Sequence, residues 1–439
     1  MSHSNRKIRV LIVSHNAFHP QRNMGRTLLS LFKSWEPENL AQLYFYNEYP
    51  ETDPSVRCFR VTDFDALKSI IGRGHAGPVS AEYESDRTEI SKNQRAVYEF
   101  ARKRKAYQYV ARNLIWKLSR WKTPELEKWV KDFSPDAIFF ACGGYSFAYE
   151  IADQLGRNLQ IPVIPYFCDD YYFLNKHDKS FLYPLVRRDI RKHIKEIIDR
   201  APTYVCICDK MEREYAKEFG KAATVIMTGA REQPDRIVPA KKNFSDKDPF
   251  VICYIGRLGL GRDSALVELG RAIRKSGLPI ILHVYTTETS PSYLRNLIPE
   301  NGIIYKGALK ENKIYSVIRQ SDAVLHVECM EPAMIEKTRY SISTKIADIL
   351  ASGVCAVVYG PVEAASISYL MDNSLAIVIS DIEQVSAKLE QLLSARVREA
   401  FAQRALHVAK KNHDSEANSK YLYEVIANSC SPLHVQERK

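Results

Sequence analysis

The chain has 439 residues, of which 45% are apolar and 26% are charged, and its formal net charge at neutral pH is +11. This composition excludes a mainly disordered chain, a collagen-like repeat and a small disulfide-stapled scaffold. A single hydrophobic core rarely grows beyond about 250–300 residues, so the length predicts two domains. The excess of basic residues predicts an anionic partner, such as a phosphorylated small molecule, a membrane surface or a nucleic acid.

The cysteines and the first apolar run indicate the compartment. None of the nine cysteines forms a C-x-x-C pair, and Cys206 and Cys208 lie in the strand-like run TYVCIC. We interpret them as buried reduced thiols, which are typical of a cytoplasmic protein. The apolar run within RKIRVLIVSH is shorter than the roughly 7–15 residues of a signal peptide, and no run is long enough to span a bilayer.

The first part of the chain alternates short apolar runs with helical patterns. A loop, NAFHPQRNMG, separates the first strand from the helix RTLLSLFKSW, and the charged residues 81–131 have a helical pattern. Further helices are predicted in SFAYEIADQLGRNL, YPLVRRDIRKHIKEIIDRA and KMEREYAKEFG. Predicted strands cover residues 6–15, 41–47, 135–143, 162–168 and 203–208. This alternation predicts an α/β fold with a parallel doubly wound sheet.

The pattern stops and then restarts. Residues 231–249 are polar and rich in proline, which predicts a linker. From Phe250 a second series of strands and helices begins with FVICYIG, and SKYLYEVIANS near the end is expected to form a last helix that packs on the first domain. We therefore predict domains at residues 1–230 and 250–415, a linker at 231–249, and a helix or tail at 416–439.

Two strand-to-helix junctions in the second domain carry residues suited to an anionic ligand. The first, GRLGLGRD, contains Gly256, Arg257 and Arg262. Glycines allow close approach of a ligand to the backbone, and arginines can hold phosphate oxygens with paired hydrogen bonds. Asp263 is expected to cap the following helix. Taken alone, this loop could equally be a surface turn with solvated arginines.

The second junction, SISTKIADILASG, begins a helix about 90 residues later. Ser343 or Thr344 is the expected N-cap, and Lys345 adds a positive charge at a helix start that favours anions. Asp348 lies one turn further on, and its carboxylate suits ribose hydroxyls. An ordinary capped amphipathic helix is the alternative. Together, the two junctions describe a pocket for a nucleotide sugar.

With these motifs in place, the chain resembles the two-domain glycosyltransferases of the GT-B fold, and most closely the family 4 group (glycosyl transferases group 1), which includes bacterial surface-polysaccharide enzymes. The resemblance rests on YIGRLGLGR, GIIYKGALKENKIYSVIRQSDAVLHVE, YSISTKIADILASG and VVYGPVEAASISYL. It runs from about Ile8 to about Leu393. It implies two Rossmann-like domains that face each other across a cleft.

The resemblance also implies roles for individual residues. Arg257 and Arg262 would hold the donor diphosphate, Asp348 would bind the donor ribose, and no metal cofactor would be required. Gly25 would belong to a flexible glycine loop near the acceptor, together with Arg26. The loop around Lys306, Gly307 and Ala308 would form the base-binding edge. The remaining donor-site positions implied by the resemblance are Gly256, Ser343, Thr344 and Lys345.

The sequence departs from the family pattern at two places. Tyr340 stands where the first Glu of the E-x7-E motif would be, with Glu328 and Glu336 as nearby acids that could substitute. In the first domain, the strand that often ends near a His here ends in Cys168, Asp169 and Asp170.

These departures leave the catalytic residues open. If the enzyme is retaining, as the resemblance implies, the leaving phosphate takes the acceptor proton. If it is inverting, Asp169, Asp170 or His15 is the candidate base. The DDYY segment could instead cap a loop, and His15 could be an ordinary loop histidine.

Residues 92–122 form a strongly basic segment, with ten Lys or Arg against one Glu and with interleaved aromatic side chains. A basic amphipathic helix of this kind is typical of binding to an anionic membrane surface. The alternative is a solvated helix face above an ordinary core stripe. No nucleic-acid-binding module is recognised, so no nucleic-acid partner is expected.

From these observations we predict a cytoplasmic glycosyltransferase, peripheral on the inner face of the plasma membrane. It would transfer a sugar from a nucleoside-diphosphate sugar to an acceptor hydroxyl of a glycan or a lipid-linked molecule, in polysaccharide or glycolipid biosynthesis. The main alternative is a catalytically weak binding or scaffold subunit of the same fold at the membrane. A sugar epimerase of the same fold is a further alternative.

Overall fold

A computed structural model describes residues 7–20, 23–73, 76–79, 105–175, 180–231 and 249–430. The chain divides into two units. Unit 1 comprises Met1–Ile226 and Ser419–Lys439, and unit 2 comprises Met227–Asn418. Of the predicted linker, residues 232–248 lie outside the described ranges.

The described part of unit 1 contains eight strands. They are β1 Val10–Ser14, β2 Leu40–Tyr44, β3 Arg57–Arg60, β4 Gly77–Val79, β5 Ala137–Ala141, β6 Val163–Phe167, β7 Val205–Cys206 and β8 Thr224–Val225. The helices that connect them are α1 Asn23–Leu31, α2 Asp63–Ile70, α3 Ala106–Leu118, α4 Pro124–Phe133, α5 Ser146–Leu159, α6 Tyr183–Arg200 and α7 Asp209–Phe219. A short 3-10 helix, Pro37–Asn39, precedes β2.

Unit 2 contains six strands in its described residues. They are β9 Phe250–Ile255, β10 Ile280–Tyr285, β11 Ile303–Tyr305, β12 Ala323–Val327, β13 Ala356–Tyr359 and β14 Ala376–Ile379. The helices are α8 Arg262–Ser276, α9 Pro291–Leu294, α10 Ile314–Gln320, α11 Pro332–Thr338, α12 Lys345–Ala351, α13 Ala365–Asp372, α14 Val385–Leu393, α15 Ala395–Asn412 and α16 Ser415–Cys430, the last of which continues into unit 1. Three 3-10 helices also occur, at Pro299–Asn301, Glu311–Lys313 and Ile382–Gln384.

Both sheets have the doubly wound order. In unit 1 the order is β4-β3-β2-β1-β5-β6-β7-β8, with every pair parallel except β3 and β4. In unit 2 the order is β11-β10-β9-β12-β13-β14, and all the pairs are parallel. The chain order reverses between β1 and β5 in unit 1, and between β9 and β12 in unit 2. Ligands of such sheets bind at the carboxyl ends of the strands beside this reversal.

The central strands form because they are short runs of apolar residues that can be buried on both faces. All five residues of β1, β5 and β12 are buried. Cys206 and Cys208 are buried free thiols, as predicted, and so are Cys253 and Cys355 in unit 2. No helix among the described residues is long and apolar enough to cross a membrane.

The sequence prediction missed several elements. Strand β3 was missed because its two buried residues are flanked by arginines, and α15 because it has no glycine or proline boundary. Of the helical segment predicted over residues 81–131, the described part forms α3 and α4, separated at residues 119–123. The last helix was predicted to pack on the first domain, and from Ser419 onward its residues belong to unit 1.

Candidate functional site

In unit 2 the loop that follows β9 lies at the reversal of strand order. Gly256 begins this loop, and a side chain there would collide with the Lys345 ammonium group. Gly261 ends the loop in the left-handed region at φ 72° and is the N-cap of α8. Asp263, predicted to be this cap, instead lies in the first turn of the helix. The glycine at 256 therefore lets a lysine from α12 lie directly against the loop.

Lys345 is half-buried beside an aromatic ring. Its Nζ donates a hydrogen bond of 3.2 Å to the Tyr254 hydroxyl and lies 4.7 Å from the ring centroid. Burial, followed by the charge of Arg262, lowers the pKa of Lys345 to about 7, and Glu328 opposes this shift. A partly desolvated ammonium group among other cations gains from a negatively charged ligand.

Arg262 is held by Glu328 at the end of β12. One of its Nη atoms lies 3.0 Å from the carboxylate, and Glu328 is 1% exposed. Burial alone would raise the pKa of Glu328, but the hydrogen bond from His326 Nε2 at 3.0 Å and the charge of Arg262 lower it to about 2. Glu328 is one of the two acids predicted as substitutes for the missing Glu of the family motif. In the structure its carboxylate pairs with Arg262.

The start of α12 differs from the prediction in its cap. Helix α12 begins at Lys345, and the side chain of Thr344 makes no capping hydrogen bond. The backbone N–H of Ser343 donates to the Ser366 hydroxyl at 2.9 Å. Neither predicted N-cap side chain therefore caps the helix, and Lys345 is the residue through which this helix start meets the β9 loop.

Asp348 is buried and engaged by other protein groups. Its Oδ1 accepts hydrogen bonds from the backbone N–H of Arg231 at 3.0 Å and from the Tyr315 hydroxyl at 3.1 Å. Its Oδ2 pairs with the Arg231 guanidinium, which also donates to Glu311 at 2.8 Å. The carboxylate that the resemblance assigns to the donor ribose thus has protein partners on both oxygens.

The predicted base-binding edge follows β11. Gly307 is in the left-handed region at φ 80°, and its carbonyl accepts a hydrogen bond of 3.0 Å from Thr286. Lys306 is exposed, and its backbone N–H bonds to Val284. This geometry leaves the turn open, since a Cβ at Gly307 would meet no atom within 4 Å.

In unit 1, His15 follows β1 at the reversal of strand order and is enclosed by aromatic rings. The centroids of Phe45, Tyr46, Tyr145 and Phe147 lie 5.5–5.7 Å from the His15 ring. The residue is only 9% exposed. His15 is therefore packed in an aromatic cluster rather than carried on an open loop.

Two glycines after β5 make room for this cluster and for the loop after β6. A Cβ at Gly143 would lie 2.6 Å from His15 Nε2, and one at Gly144 would lie 3.2 Å from the Tyr171 ring. The hydroxyl of Tyr171 lies 3.5 Å from the Asp169 carboxylate. His15 and Asp169 thus follow β1 and β6, the two strands on either side of β5, and the glycine pair after β5 and Tyr171 lie between them.

The two acidic candidates of this loop differ. Asp170 is buried and accepts hydrogen bonds from the Tyr172 and Phe173 backbones and from the Tyr215 hydroxyl at 2.9 Å. Burial raises its pKa in spite of these bonds. Asp170 is therefore the loop cap that the sequence left open as an alternative, whereas Asp169 is exposed.

The glycine predicted to form a flexible loop is helical. Gly25 lies in α1, buried against the Ala17 carbonyl and the backbone N–H of His19. A side chain there would collide with that backbone. Gly25 thus fixes the packing of α1 on the loop after β1, and Arg26 follows it on the same helix.

The described part of the basic segment, residues 105–122, has two different faces. Arg112 is buried, donates to Asp63 at 2.8 Å and lies 3.9 Å from the Tyr145 ring centroid. Trp116 also points inward and donates to Asp63 at 2.7 Å. Arg112 and Trp116, counted from the sequence as part of a membrane face, are therefore core residues. Residues 92–104 lie outside the described ranges.

Comparison with known proteins agrees with this architecture. Residues 271–424 match the family model described as "Glycosyl transferase-like". The chain is similar to HepE from Anabaena in complex with UDP and glucose, with 12% identity, 96% of this chain and 99% of that chain covered, and a TM-score of 0.59. No curated protein matches the sequence.

Two further solved structures show the same likeness. The α,α-trehalose-phosphate synthase (UDP-forming) of Burkholderia xenovorans is 10% identical, with 95% and 100% of the two chains covered and a TM-score of 0.56. WaaG, a glycosyltransferase involved in lipopolysaccharide biosynthesis, is 13% identical, with 95% and 99% covered and a TM-score of 0.51. The chain therefore has the GT-B fold of glycosyltransferases, with two Rossmann-like units. The resemblance found in the sequence is confirmed, and most of the glycosyl transferase-like segment, residues 271–418, lies in unit 2.

Sequence reasoning missed three residues that shape these sites. Arg231 lies at the edge of the predicted linker and is 117 residues from its partner Asp348. Tyr254 is an ordinary strand residue in the sequence, and Asp63 is an ordinary first-turn acid. Tyr254 could have been noticed, because it is an aromatic residue two positions before Gly256. No local signal in the sequence points to Arg231 or Asp63.

Proposed function

We propose that this protein is a glycosyltransferase that uses a nucleoside-diphosphate sugar and an acceptor hydroxyl, in polysaccharide or glycolipid biosynthesis. The observation that carries the proposal is the convergence of Lys345, Arg262 and the Arg257 loop beside Gly256, at the reversal of strand order in unit 2. Such a cluster suits a diphosphate, because charge-assisted hydrogen bonds to phosphate oxygens are strong. The GT-B fold and the relatives' use of UDP support this assignment.

In the proposed reaction, the bond between the anomeric carbon and the diphosphate oxygen breaks, and a bond to the acceptor oxygen forms. The leaving diphosphate gains negative charge, which the cations of unit 2 stabilise without a metal ion. We propose retention of configuration, in which the leaving phosphate oxygen takes the proton of the acceptor hydroxyl. Asp169, which is exposed after β6 in unit 1, is the side chain proposed to contact the acceptor.

The first experiment measures nucleotide binding. Thermal shifts with UDP, GDP, dTDP, ADP and CMP identify the base. The test variant is Arg257→Ala, because the Arg257 side chain is exposed on the loop after β9. We expect one nucleoside diphosphate to stabilise the wild type. Arg257→Ala should weaken the binding of this nucleotide about 10- to 100-fold, because a hydrogen bond from a charged group is lost. The exposed Arg396 in α15 provides the control variant Arg396→Gln, which should bind as the wild type does.

Turnover decides between enzyme and scaffold. If a nucleotide sugar is bound and its sugar is transferred, Arg257→Ala should lower kcat/KM about 10²–10³-fold. Binding without transfer to any glycan or lipid-linked acceptor would favour the scaffold subunit. Absence of binding to all five nucleotides would overturn the proposed donor site itself.

We further propose that α3 contacts an anionic membrane surface. Tyr107, Val110, Leu114 and Leu118 are 40–59% exposed along one side of this helix. Lys105 and Lys117 are exposed on the same helix region, so apolar and basic groups occur together. A membrane location would suit a lipid-linked acceptor.

Vesicle flotation tests this surface. We expect binding to vesicles that contain phosphatidylglycerol, no binding to pure phosphatidylcholine, and weaker binding at high salt. The double variant Leu114→Asp, Leu118→Asp should lower binding at least tenfold, since each buried leucine is worth about 1.5–3 kcal/mol. Met371→Asp, at an exposed apolar residue of unit 2, is the control. Equal flotation of the double variant and the control would contradict the proposal.

A further inference from the structure

A cluster of charged side chains surrounds Asp348 in unit 2. Arg231 reaches the Asp348 carboxylate with both its backbone N–H and its guanidinium, and the same guanidinium donates to Glu311. Tyr315 adds a hydroxyl donor to Asp348. Asp348 is thus the inner member of the cluster, with a side chain only 5% exposed, while the side chains of Arg231 and Glu311 are 25% and 31% exposed.

Through Arg231, the cluster joins the two segments assigned to the nucleoside. Glu311 belongs to the 3-10 helix that follows the base-binding edge at Lys306 and Gly307, and Asp348 is one turn into α12. A nucleoside bound along this edge would meet the exposed side chains of the cluster first. The buried carboxylate of Asp348 lies behind them.

The charges of the cluster also suit a sugar rather than a phosphate. One guanidinium against the two carboxylates of Asp348 and Glu311 leaves a net charge of −1. The cluster around Lys345 is positive, with the cations Lys345, Arg262 and Arg257 against the single carboxylate of Glu328. The negative cluster around Asp348 therefore suits hydroxyl groups, and the positive cluster around Lys345 suits the diphosphate.

We propose that Arg231 and Glu311, rather than Asp348, contact the ribose hydroxyls of the donor, and that Asp348 is a positioning residue that holds Arg231. This inference rests on the proposed donor function. The guanidinium donates a hydrogen bond to a ribose oxygen, and the Glu311 carboxylate accepts a hydrogen bond from a ribose hydroxyl. Direct use of Asp348 would require Arg231 to leave, and an uncompensated buried carboxylate is strongly unfavourable.

The experiment compares a ribonucleotide with its deoxyribonucleotide. Calorimetry gives Kd for UDP and 2′-deoxy-UDP, or for the same pair of whichever base the wild type binds. We expect the wild type to favour the ribonucleotide about tenfold or more, since a hydrogen bond to a charged group is worth about 1.5–3 kcal/mol. Arg231→Gln and Glu311→Gln should each bring this ratio close to one. Arg396→Gln should leave it unchanged.

The ratio distinguishes ribose contact from a merely structural role, because general loosening of the site weakens both ligands alike. If both variants bind nucleotide with the wild-type ratio, Arg231 and Glu311 only anchor the chain and the inference is overturned. It is equally overturned if Asp348→Asn removes the discrimination while Arg231→Gln keeps it, or if the wild type prefers a deoxyribonucleotide. If Arg231→Gln does not fold, the binding ratio of Glu311→Gln alone tests the inference. Failure of the wild type to bind any nucleotide would instead refute the donor site.

Discussion

At the scale of single residues, Lys345 connects the geometry of the loop after β9, the proposed donor site, with pH. Its ammonium group lies in the space that a side chain at Gly256 would fill, and it faces Arg257, Arg262, Tyr254 and Glu328. Burial and the two arginines lower its pKa to about 7, so near neutral pH the free protein holds a mixture of charged and neutral lysine. A bound diphosphate favours the charged form.

Donor affinity is therefore expected to fall as the pH rises through 7. Above this value the free lysine is neutral and must take up a proton on binding, so Kd for the nucleotide sugar should rise up to about tenfold per pH unit. A nucleotide sugar is the appropriate ligand, because its diphosphate has no terminal ionisation near neutral pH. Calorimetry between pH 6 and 8.5 measures the effect, and Lys345→Ala should bind more weakly with a flat profile. A wild-type profile as flat as that of Lys345→Ala would contradict the role of this residue.

The residue scale also shows where sequence reasoning stops. Gly256, Arg262 and Lys345 could be brought together from the sequence, because each follows a strand or begins a helix at the reversal of strand order. The partners of Asp348 could not, because Arg231 is 117 residues away and precedes a segment with no periodic pattern. Arg112 looked like a membrane-facing cation because charge was counted without knowledge of which helix face is buried.

At the scale of elements, residues 227–231 are bound to the end of α15 and the start of α16. His413 Nδ1 donates to the Thr228 carbonyl at 2.9 Å, and Ser415 and Asn418 donate to the carbonyls of Ala230 and Met227. His413 is buried, and its Nε2 lies 3.1 Å from the Tyr369 hydroxyl. Because one ring nitrogen donates and the other accepts, the neutral imidazole fits this place.

Burial, the largest cause, lowers the pKa of His413 to about 4, from 6.5 in an unfolded chain. Below pH 6.5 the unfolded chain therefore binds a proton that the folded chain does not take up until about pH 4. The free energy of unfolding should fall as the pH decreases across this window, by up to about 1.4 kcal/mol per pH unit. The measurement is denaturant unfolding of the wild type and His413→Asn between pH 4 and 7. Equal pH slopes for the two proteins would show that His413 is not responsible.

Elements were predictable to the extent that their signals are local. The apolar runs of β1, β5, β9 and β12 are dense enough in buried residues to be recognised as strands. Helix α15 has no local signal of this kind, because it lacks a glycine or proline boundary and its polar residues alternate with alanines. In the structure it packs against α12 and α14.

At the scale of the whole molecule, the end of α16 completes unit 1. Leu422 and Ile426 are fully buried, the Tyr423 ring lies 4.9 Å from that of Trp35, and the backbone N–H of Ser34 donates to the Ser419 hydroxyl at 3.0 Å. A segment that follows all of unit 2 in sequence thus fills part of the unit 1 core.

Leu422→Ala and Ile426→Ala should each destabilise the protein by about 2–5 kcal/mol, because each leaves a cavity in a packed core. Tyr421→Ala is the matched control, since Tyr421 is 47% exposed on the same helix and should cost little. Chemical unfolding followed by tryptophan fluorescence reports on unit 1, because all four tryptophans of the chain belong to it. A loss no larger than that of Tyr421→Ala would show that the helix end does not stabilise unit 1.

The return of α16 to unit 1 has a consequence for synthesis on the ribosome. An N-terminal domain ordinarily folds while later residues are still being translated. Unit 1 lacks Leu422 and Ile426 until all of unit 2 has been made, so the pocket for these side chains stays open for most of translation. The nascent chain therefore presents an apolar surface to chaperones long after its first sheet can form, and unit 1 reaches its final core only when the last helix emerges.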